Sequence, residues 1–154
     1  PSAAGGAMAR AAERRFGDTL VLWSFGWGES DRIAWEIVSR IREGVLSLGK
    51  KSRTLEQIAK FFNVKLRWDH ESTEPGGYLP PLNDGGEGTI LISPKLAPHR
   101  KWRVFVHELA HHLMHEWVAG ACYSAVKVVL AGNPDCGPLR HAIARRVEQL
   151  LAEL

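Results

Sequence analysis

The sequence predicts an α+β fold in which helices precede and follow a small β-sheet. Apolar residues recur at helical spacing over residues 31–43 and again over residues 100–117. Between these segments, residues 64–68 alternate apolar and basic side chains, and residues 88–93 are rich in β-branched side chains. Because the strands are not interleaved with helices along the chain, we expect this organisation rather than a doubly wound α/β sheet.

The size and composition of the chain fit one globular domain. The chain has 154 residues, of which 45% are hydrophobic and 24% are charged, and these values are ordinary for a soluble domain with a sizeable core. We expect a flexible tail over residues 1–18 and a single domain over residues 19–154. The tail lacks the long apolar centre of a signal peptide, and no apolar run is long enough to predict a membrane helix.

Charge and cysteine content give two further expectations. Cys122 and Cys136 are too few for a disulfide scaffold, so reduced thiols in a cytoplasmic protein are expected, with a single bridge between the two as the alternative. The formal net charge is +3, but the basic residues are scattered. The densest basic stretch, residues 93–103, is interpreted as a solvated face at the start of a helix. Direct nucleic-acid binding is therefore not expected.

The first predicted helix covers residues 31–43. Ser30 or Asp31 can cap its start, and Gly44 can end it. Its buried face is predicted to comprise Ile33, Ala34, Ile37, Val38 and Ile41.

The second predicted helix covers residues 52–62 and leads directly into the first strand. Ser52 or Thr54 can cap its start, and Asn63 stands where helices commonly end in a left-handed residue. The strand over residues 64–68 follows immediately and is predicted to be half-buried.

The middle and C-terminal parts complete the predicted elements. Residues 69–88 are rich in glycine, proline, aspartate and asparagine, which predicts a long loop with a short extended piece at Tyr78 and Leu79. After the strand at 88–93 and the helix at 100–117, the order is a further helix at 118–131, a turn at 132–138 and a closing helix at 139–154.

The five residues "HELAH", 107–111, carry the strongest functional signal. His107 and His111 are four residues apart, so on an α-helix of about 100° per residue both side chains lie on one face. Their imidazoles can therefore bind one cation, while Glu108 points beside it. The apolar residues on both sides predict a central helix, and burial of three ionisable groups without partners would be costly.

This spacing is typical of zinc peptidases, and the chemistry explains each residue type. Neutral imidazole suits Zn²⁺, and bound zinc lowers the pKa of its water toward about 7. A carboxylate beside that water can take its proton and pass it to the leaving amine. We therefore expect Zn²⁺ as cofactor, His107 and His111 as ligands and Glu108 as the catalytic base.

A catalytic zinc site needs a third protein ligand. An extended three-histidine motif would need glycine and histidine at positions 114 and 117, where this chain has Met114 and Trp117. A site that takes a cysteine ligand from before the motif is also not expected, because both cysteines follow the motif. A glutamate on the closing helix is the remaining common solution. Glu148 lies beside an apolar helix face and is the predicted third ligand, with His141, seven residues earlier, as the alternative.

Other polar residues near the motif receive weaker assignments. His112 and His115 are predicted to have structural roles rather than to bind the metal. An oxyanion formed in the reaction also needs a hydrogen-bond donor, and Tyr78, Tyr123 and His141 are the candidates.

Four stretches together resemble the ImmA/IrrE family of metallopeptidases. They are "TLEQIAKFFNVKLRW", "GTILISPKL", "RKWRVFVHELAHHLMH" and "RRVEQLLAEL", in that order along residues 52–154. The third stretch resembles the family's core motif, with Ala110 where the family usually has glycine. The resemblance implies a zincin-like metallopeptidase with His107, His111 and Glu148 on zinc and Glu108 catalytic. It also implies a protein substrate, for which a separate helix-turn-helix repressor is a candidate.

Two other classes of function remain open from the sequence. A non-catalytic, metal-stabilised interaction module is the main alternative, although a structural zinc has no use for Glu108. A nucleic-acid-binding protein would need a clustered basic surface, which the chain does not offer. Neither the substrate nor the oligomeric state can be predicted from the sequence.

Overall fold

A computed structural model describes residues 22–83, 86–119 and 136–152. Within these ranges the protein has four α-helices and one three-stranded sheet, which confirms the α+β prediction. The helices are α1 (Leu22–Ser47), α2 (Leu55–Phe61), α3 (Pro98–Ala119) and α4 (Cys136–Ala152), and the strands are β1 (Val64–Trp68), β2 (Gly76–Leu79) and β3 (Gly88–Ile92). The chain divides into two compact units, 1–36 and 37–154. The predicted division into a tail and one metallopeptidase domain stays a prediction.

Helix α1 is longer than predicted at both ends, although its predicted apolar residues are all buried. The prediction that Gly44 ends the helix is wrong. A Cβ atom at Gly44 would lie 2.5 Å from Phe62 Cζ, so this glycine allows α1 to pack closely on the aromatic residues at the C-terminal end of α2. The helix continues to Ser47, whose hydroxyl donates a hydrogen bond to the Gly44 carbonyl at 2.7 Å.

The predicted signals at both ends of α2 are confirmed. The Thr54 hydroxyl accepts a hydrogen bond from the Gln57 amide at 3.2 Å, which satisfies one free N–H of the first turn. Asn63 has a φ of 58° and takes the left-handed conformation that ends the helix. The helix itself is shorter than predicted, because residues Lys50–Ser52 form a separate 3₁₀ turn.

The sheet has the order β1–β3–β2. Strand β1 runs parallel to β3, with Leu66 opposite Ile90, and β2 runs antiparallel to β3, with Tyr78 opposite Ile90. The predicted extended piece at Tyr78 is therefore an edge strand. Ile90 and Ile92 of the central strand are fully buried, so β3 anchors the sheet in the core.

Helix α3 is the central helix of this unit, as its apolar pattern predicts. It contacts α2, α4 and the strands β2 and β3. Its buried apolar residues are Phe105, Val106, Leu109, Ala110, Leu113 and Met114. Helix α4 covers one side of it with Ile143, Ala144, Val147 and Leu150, all of which are buried. Residues of α3 and α4 can therefore meet in one site.

Some predictions fall outside the described residues. These are the tail at 1–18, almost all of the predicted helix at 118–131 and the first part of the predicted turn at 132–138, together with Cys122 and Tyr123. Helix α4 begins at Cys136 rather than at residue 139, and Pro138 stands in its first turn, where a proline is well tolerated. None of the described helices combines the length and apolar character needed to cross a bilayer.

Candidate metal centre

The HELAH motif brings two imidazole rings close together on α3. The Nε2 atoms of His107 and His111 are 3.3 Å apart, because the four-residue spacing places the side chains on successive turns. Two nitrogens bound to one tetrahedral zinc at 2.0–2.1 Å are separated by about 3.3–3.4 Å. The separation of the two rings therefore fits a shared zinc ion without a change in the helix.

His141 brings a third imidazole to the same place from α4. Its ring centroid lies 4.8 Å from that of His107 and 6.1 Å from that of His111. One ligand atom from each of the three residues lies within 4.8 Å of the others. The alternative ligand predicted from the sequence is thus part of a three-histidine cluster that could hold a metal ion.

Glu148, the predicted third ligand, also reaches the site, but it contacts the outer nitrogen of His107. Its Oε2 atom lies 2.6 Å from His107 Nδ1, and its Oε1 atom lies 3.6 Å from Nη2 of Arg103. Because an ionised carboxylate can only accept, His107 donates through Nδ1. The neutral ring then has its free lone pair on Nε2, which faces the cluster.

Glu108 is adjacent to His107 and lies where β2 crosses α3. A Cβ atom at Gly76 of β2 would lie 3.8 Å from Glu108 Cγ and would overlap Val104 Cγ1. Burial, and next the negative charge of Glu148, raises the pKa of Glu108 to about 7. A carboxylate with this pKa is suited to accept and return a proton near neutral pH.

Burial also favours the neutral form of His107 and His111. Burial lowers the pKa of His111 to about 4, and the nearby His107, His141 and Arg140 add to the effect. Burial also lowers the pKa of His107, although the hydrogen bond to Glu148 opposes this shift. Neutral imidazole is the form that binds a metal, so both rings are ready for a cation at neutral pH.

Tyr78 and His112 connect β2 to α3 and to the backbone that follows α2. The Nε2 atom of His112 lies 3.0 Å from the Phe62 carbonyl, which can only accept, so this nitrogen carries the proton. The Tyr78 hydroxyl then donates to His112 Nδ1 at 2.9 Å. His112 is only 2% exposed, in keeping with its predicted structural role, and the proposed oxyanion role of Tyr78 competes with this bond.

Two residues of the site were missed in the sequence. Arg103 is four residues before His107, so the helical spacing that pairs His107 with His111 also places Arg103 on that face. That signal was present in the sequence. Gly76 gave no such signal, because its close approach to α3 depends on the pairing of β2 with β3.

Comparison with protein families finds a match over part of the chain. Residues 66–120 match the family described as Peptidase_M78, IrrE N-terminal-like domain. The match confirms the ImmA/IrrE-type resemblance and points to a peptidase; it includes the whole HELAH motif but stops before His141 and Glu148. No curated protein and no solved structure matches the chain.

Proposed function

We propose that this chain, whose residues 66–120 are of the ImmA/IrrE type, is a zinc-dependent endopeptidase that makes a limited cut in a protein partner. The observation that carries the proposal is the 3.3 Å separation of the His107 and His111 Nε2 atoms on a helix that also bears Glu108, a carboxylate with a raised pKa. A structural metal site would need the two imidazoles but not Glu108.

The residues present fit a catalytic zinc ion. His107 and His111 supply two ligands from α3, and α4 supplies the third, for which Glu148 and His141 are the candidates. When bound, zinc polarises the scissile carbonyl and lowers the pKa of an attacking water toward about 7. With three protein ligands, one coordination position stays open for the reaction.

Glu108 performs the proton transfers of the proposed reaction. Its carboxylate takes a proton from the attacking water as the new C–O bond forms. It then gives that proton to the amide nitrogen as the C–N bond breaks, so the products are a free carboxylate and an amine. The raised pKa allows one side chain to act first as base and then as acid.

We extend the proposal to the substrate of the chain and to its place in the cell. The family resemblance supports a protein substrate, and a helix-turn-helix repressor is the class that it favours. We also propose that the chain acts in the cytoplasm, in keeping with its two cysteines. We do not propose that the chain binds nucleic acid directly.

The test is to find new N-termini produced by the zinc-loaded chain in a native lysate of its source cells. We expect one or a few cleavage sites with the unmodified chain and none with Glu108→Gln, at equal zinc content. The control is Glu71→Gln, an exposed carboxylate outside the site, which should cleave normally. Identical N-termini with Glu108→Gln would overturn the proposed role of Glu108.

A further inference from the structure

We infer that His141 completes the metal centre and that Glu148 is a positioning residue, held by Arg103, which fixes the ring of His107 through Nδ1. This inference rests on the proposed metal site, but it concerns which side chains hold the ion and not what the enzyme cuts. It departs from the glutamate that the family resemblance implies as the third ligand.

The geometry of the imidazole ring separates the two roles. The two ring nitrogens point away from each other, so a metal on Nε2 and an oxygen bonded to Nδ1 are about 6 Å apart. A zinc–carboxylate bond needs about 2.0–2.2 Å. Glu148 Oε2 lies 2.6 Å from His107 Nδ1, so Glu148 cannot keep this bond and also bind a metal held by His107 Nε2.

His141 is free of this conflict. Its ring centre lies 4.8 Å from that of His107. The ligand atoms of the three histidines lie within 4.8 Å of one another, so a modest rotation of His141 brings its nitrogen to ligand distance. The side chain is exposed, and its weak 3.4 Å contact with Arg145 Nε opposes that rotation little.

Arg103 gives Glu148 its orientation. The guanidinium lies 3.6 Å from Glu148 Oε1, while Oε2 faces His107. Arg103 and His107 are one helical turn apart on α3, so the carboxylate of α4 bridges two neighbouring side chains of that helix. Because Arg103 is 54% exposed, its contribution is expected to be smaller than that of Glu148.

The first experiment measures zinc affinity by competition with a chromophoric chelator. We expect His141→Ala to lower the affinity most, because it removes a ligand. Glu148→Gln should lower it by about 10- to 100-fold, as is usual for a group that orients a ligating histidine. Arg103→Met should have a smaller effect in the same direction. The matched control is Gln149→Ala, at the exposed neighbour of Glu148 on α4, which should leave the affinity unchanged.

The second experiment places a thiol at each candidate position and reads the spectrum of the cobalt-loaded chain. A cysteine that binds Co²⁺ gives a strong near-ultraviolet thiolate-to-metal band. We expect His141→Cys to produce this band and Glu148→Cys not to, with the unmodified chain as the baseline for Cys122 and Cys136. The readout needs only a folded, metal-loaded chain, which circular dichroism can check for each variant.

The outcomes separate the two proposals. A thiolate band from Glu148→Cys but not from His141→Cys overturns this inference and leaves the peptidase proposal intact. Failure of the unmodified chain to bind zinc or cobalt overturns both. Retention of normal zinc affinity in His141→Ala also overturns the inference, because a lost ligand must weaken binding.

Discussion

Burial of the Glu108 carboxylate has an effect on stability that can be measured in the metal-free protein. Its pKa in the folded chain is about 7, against 4.5 for an ordinary glutamate. Ionisation is therefore disfavoured by folding, so the contribution of Glu108 to the stability of the metal-free chain is most favourable below the unfolded pKa and falls as the pH rises through the folded pKa of about 7. The carboxylate most useful for proton transfer is in this sense a source of instability.

We predict that replacing Glu108 by glutamine stabilises the metal-free chain more at pH 8 than at pH 5. The difference between the two pH values should be on the order of 2 kcal/mol in the free energy of unfolding, because only the ionised carboxylate suffers from burial. Urea denaturation in the presence of a chelator measures it. Glu71→Gln should show no such difference, and an equal effect of Glu108→Gln at both pH values would contradict the raised pKa.

At the residue scale, the sequence predicted the convergence of His107 and His111 that the structure shows, but it left two candidates on α4 for the third ligand. The spacing of His107 and His111 acts within one helix, so the period of 3.6 residues was sufficient to predict their convergence. The choice between Glu148 and His141 depends on how α4 is rotated against α3. That rotation is set by packing of several apolar side chains along both helices, and no single residue of the sequence encodes it.

At the scale of elements, the close crossing of β2 over α3 is the feature with the clearest consequence. Gly76 is the point of contact, since a side chain there would overlap Val104 and would also lie next to Glu108. Its neighbour Gly77 has no atom within 4 Å of a Cβ placed there. The two adjacent glycines thus offer a matched pair of substitutions.

Gly76→Ala is expected to lower the free energy of unfolding by about 1–3 kcal/mol, because the added methyl group forces β2 away from α3. It should also lower the rate of substrate cleavage, because the surroundings of Glu108 change. Gly77→Ala should have little effect on either quantity. Thermal unfolding and cleavage assays of both variants measure this; equal effects of the two substitutions would show that the crossing is not tight.

The elements themselves were predicted to different degrees. Helix α2 has local signals at both ends, Thr54 and Asn63, and both function as predicted. The C-terminal end of α1 was predicted too early because Gly44 resembles a stop signal, whereas the glycine allows close contact with Phe62. Strand β2 was only partly predicted, because its structure depends on pairing with β3, which local patterns do not reveal.

At the scale of the whole molecule, the proposed metal joins helices that are distant in sequence. The cluster takes His107 and His111 from α3 and His141 from α4. A ligand that binds only the folded chain raises the free energy of unfolding. The increase grows with the logarithm of the ratio of ligand concentration to Kd once that ratio is large. Zinc should therefore stabilise the fold as well as support the reaction.

We predict that zinc at about 100 times its Kd raises the free energy of unfolding by about 2.7 kcal/mol, and that a chelator reverses the effect. His107→Ala should abolish the zinc-dependent part. Melting curves with and without zinc measure both, with Gln149→Ala as a variant that should respond normally. The same increase in His107→Ala would mean that zinc binds elsewhere.

The α+β class was predicted because it follows from the order of the segments along the chain, but the topology was not. The parallel pairing of β1 with β3 and the edge position of β2 come from contacts between distant segments. The family match reaches from β1 to the end of α3. Helix α4 lies outside this match, so its contribution to the site is inferred from the structure alone.

The most direct measurement is the anomalous scattering of a crystal of the zinc-loaded chain, recorded on both sides of the zinc absorption edge. The account predicts one zinc peak about 2.0–2.1 Å from the Nε2 atoms of His107 and His111, with the Glu108 carboxylate beside the ion and not bound to it. No peak between these two imidazoles, or a peak bound directly by Glu108, would contradict it.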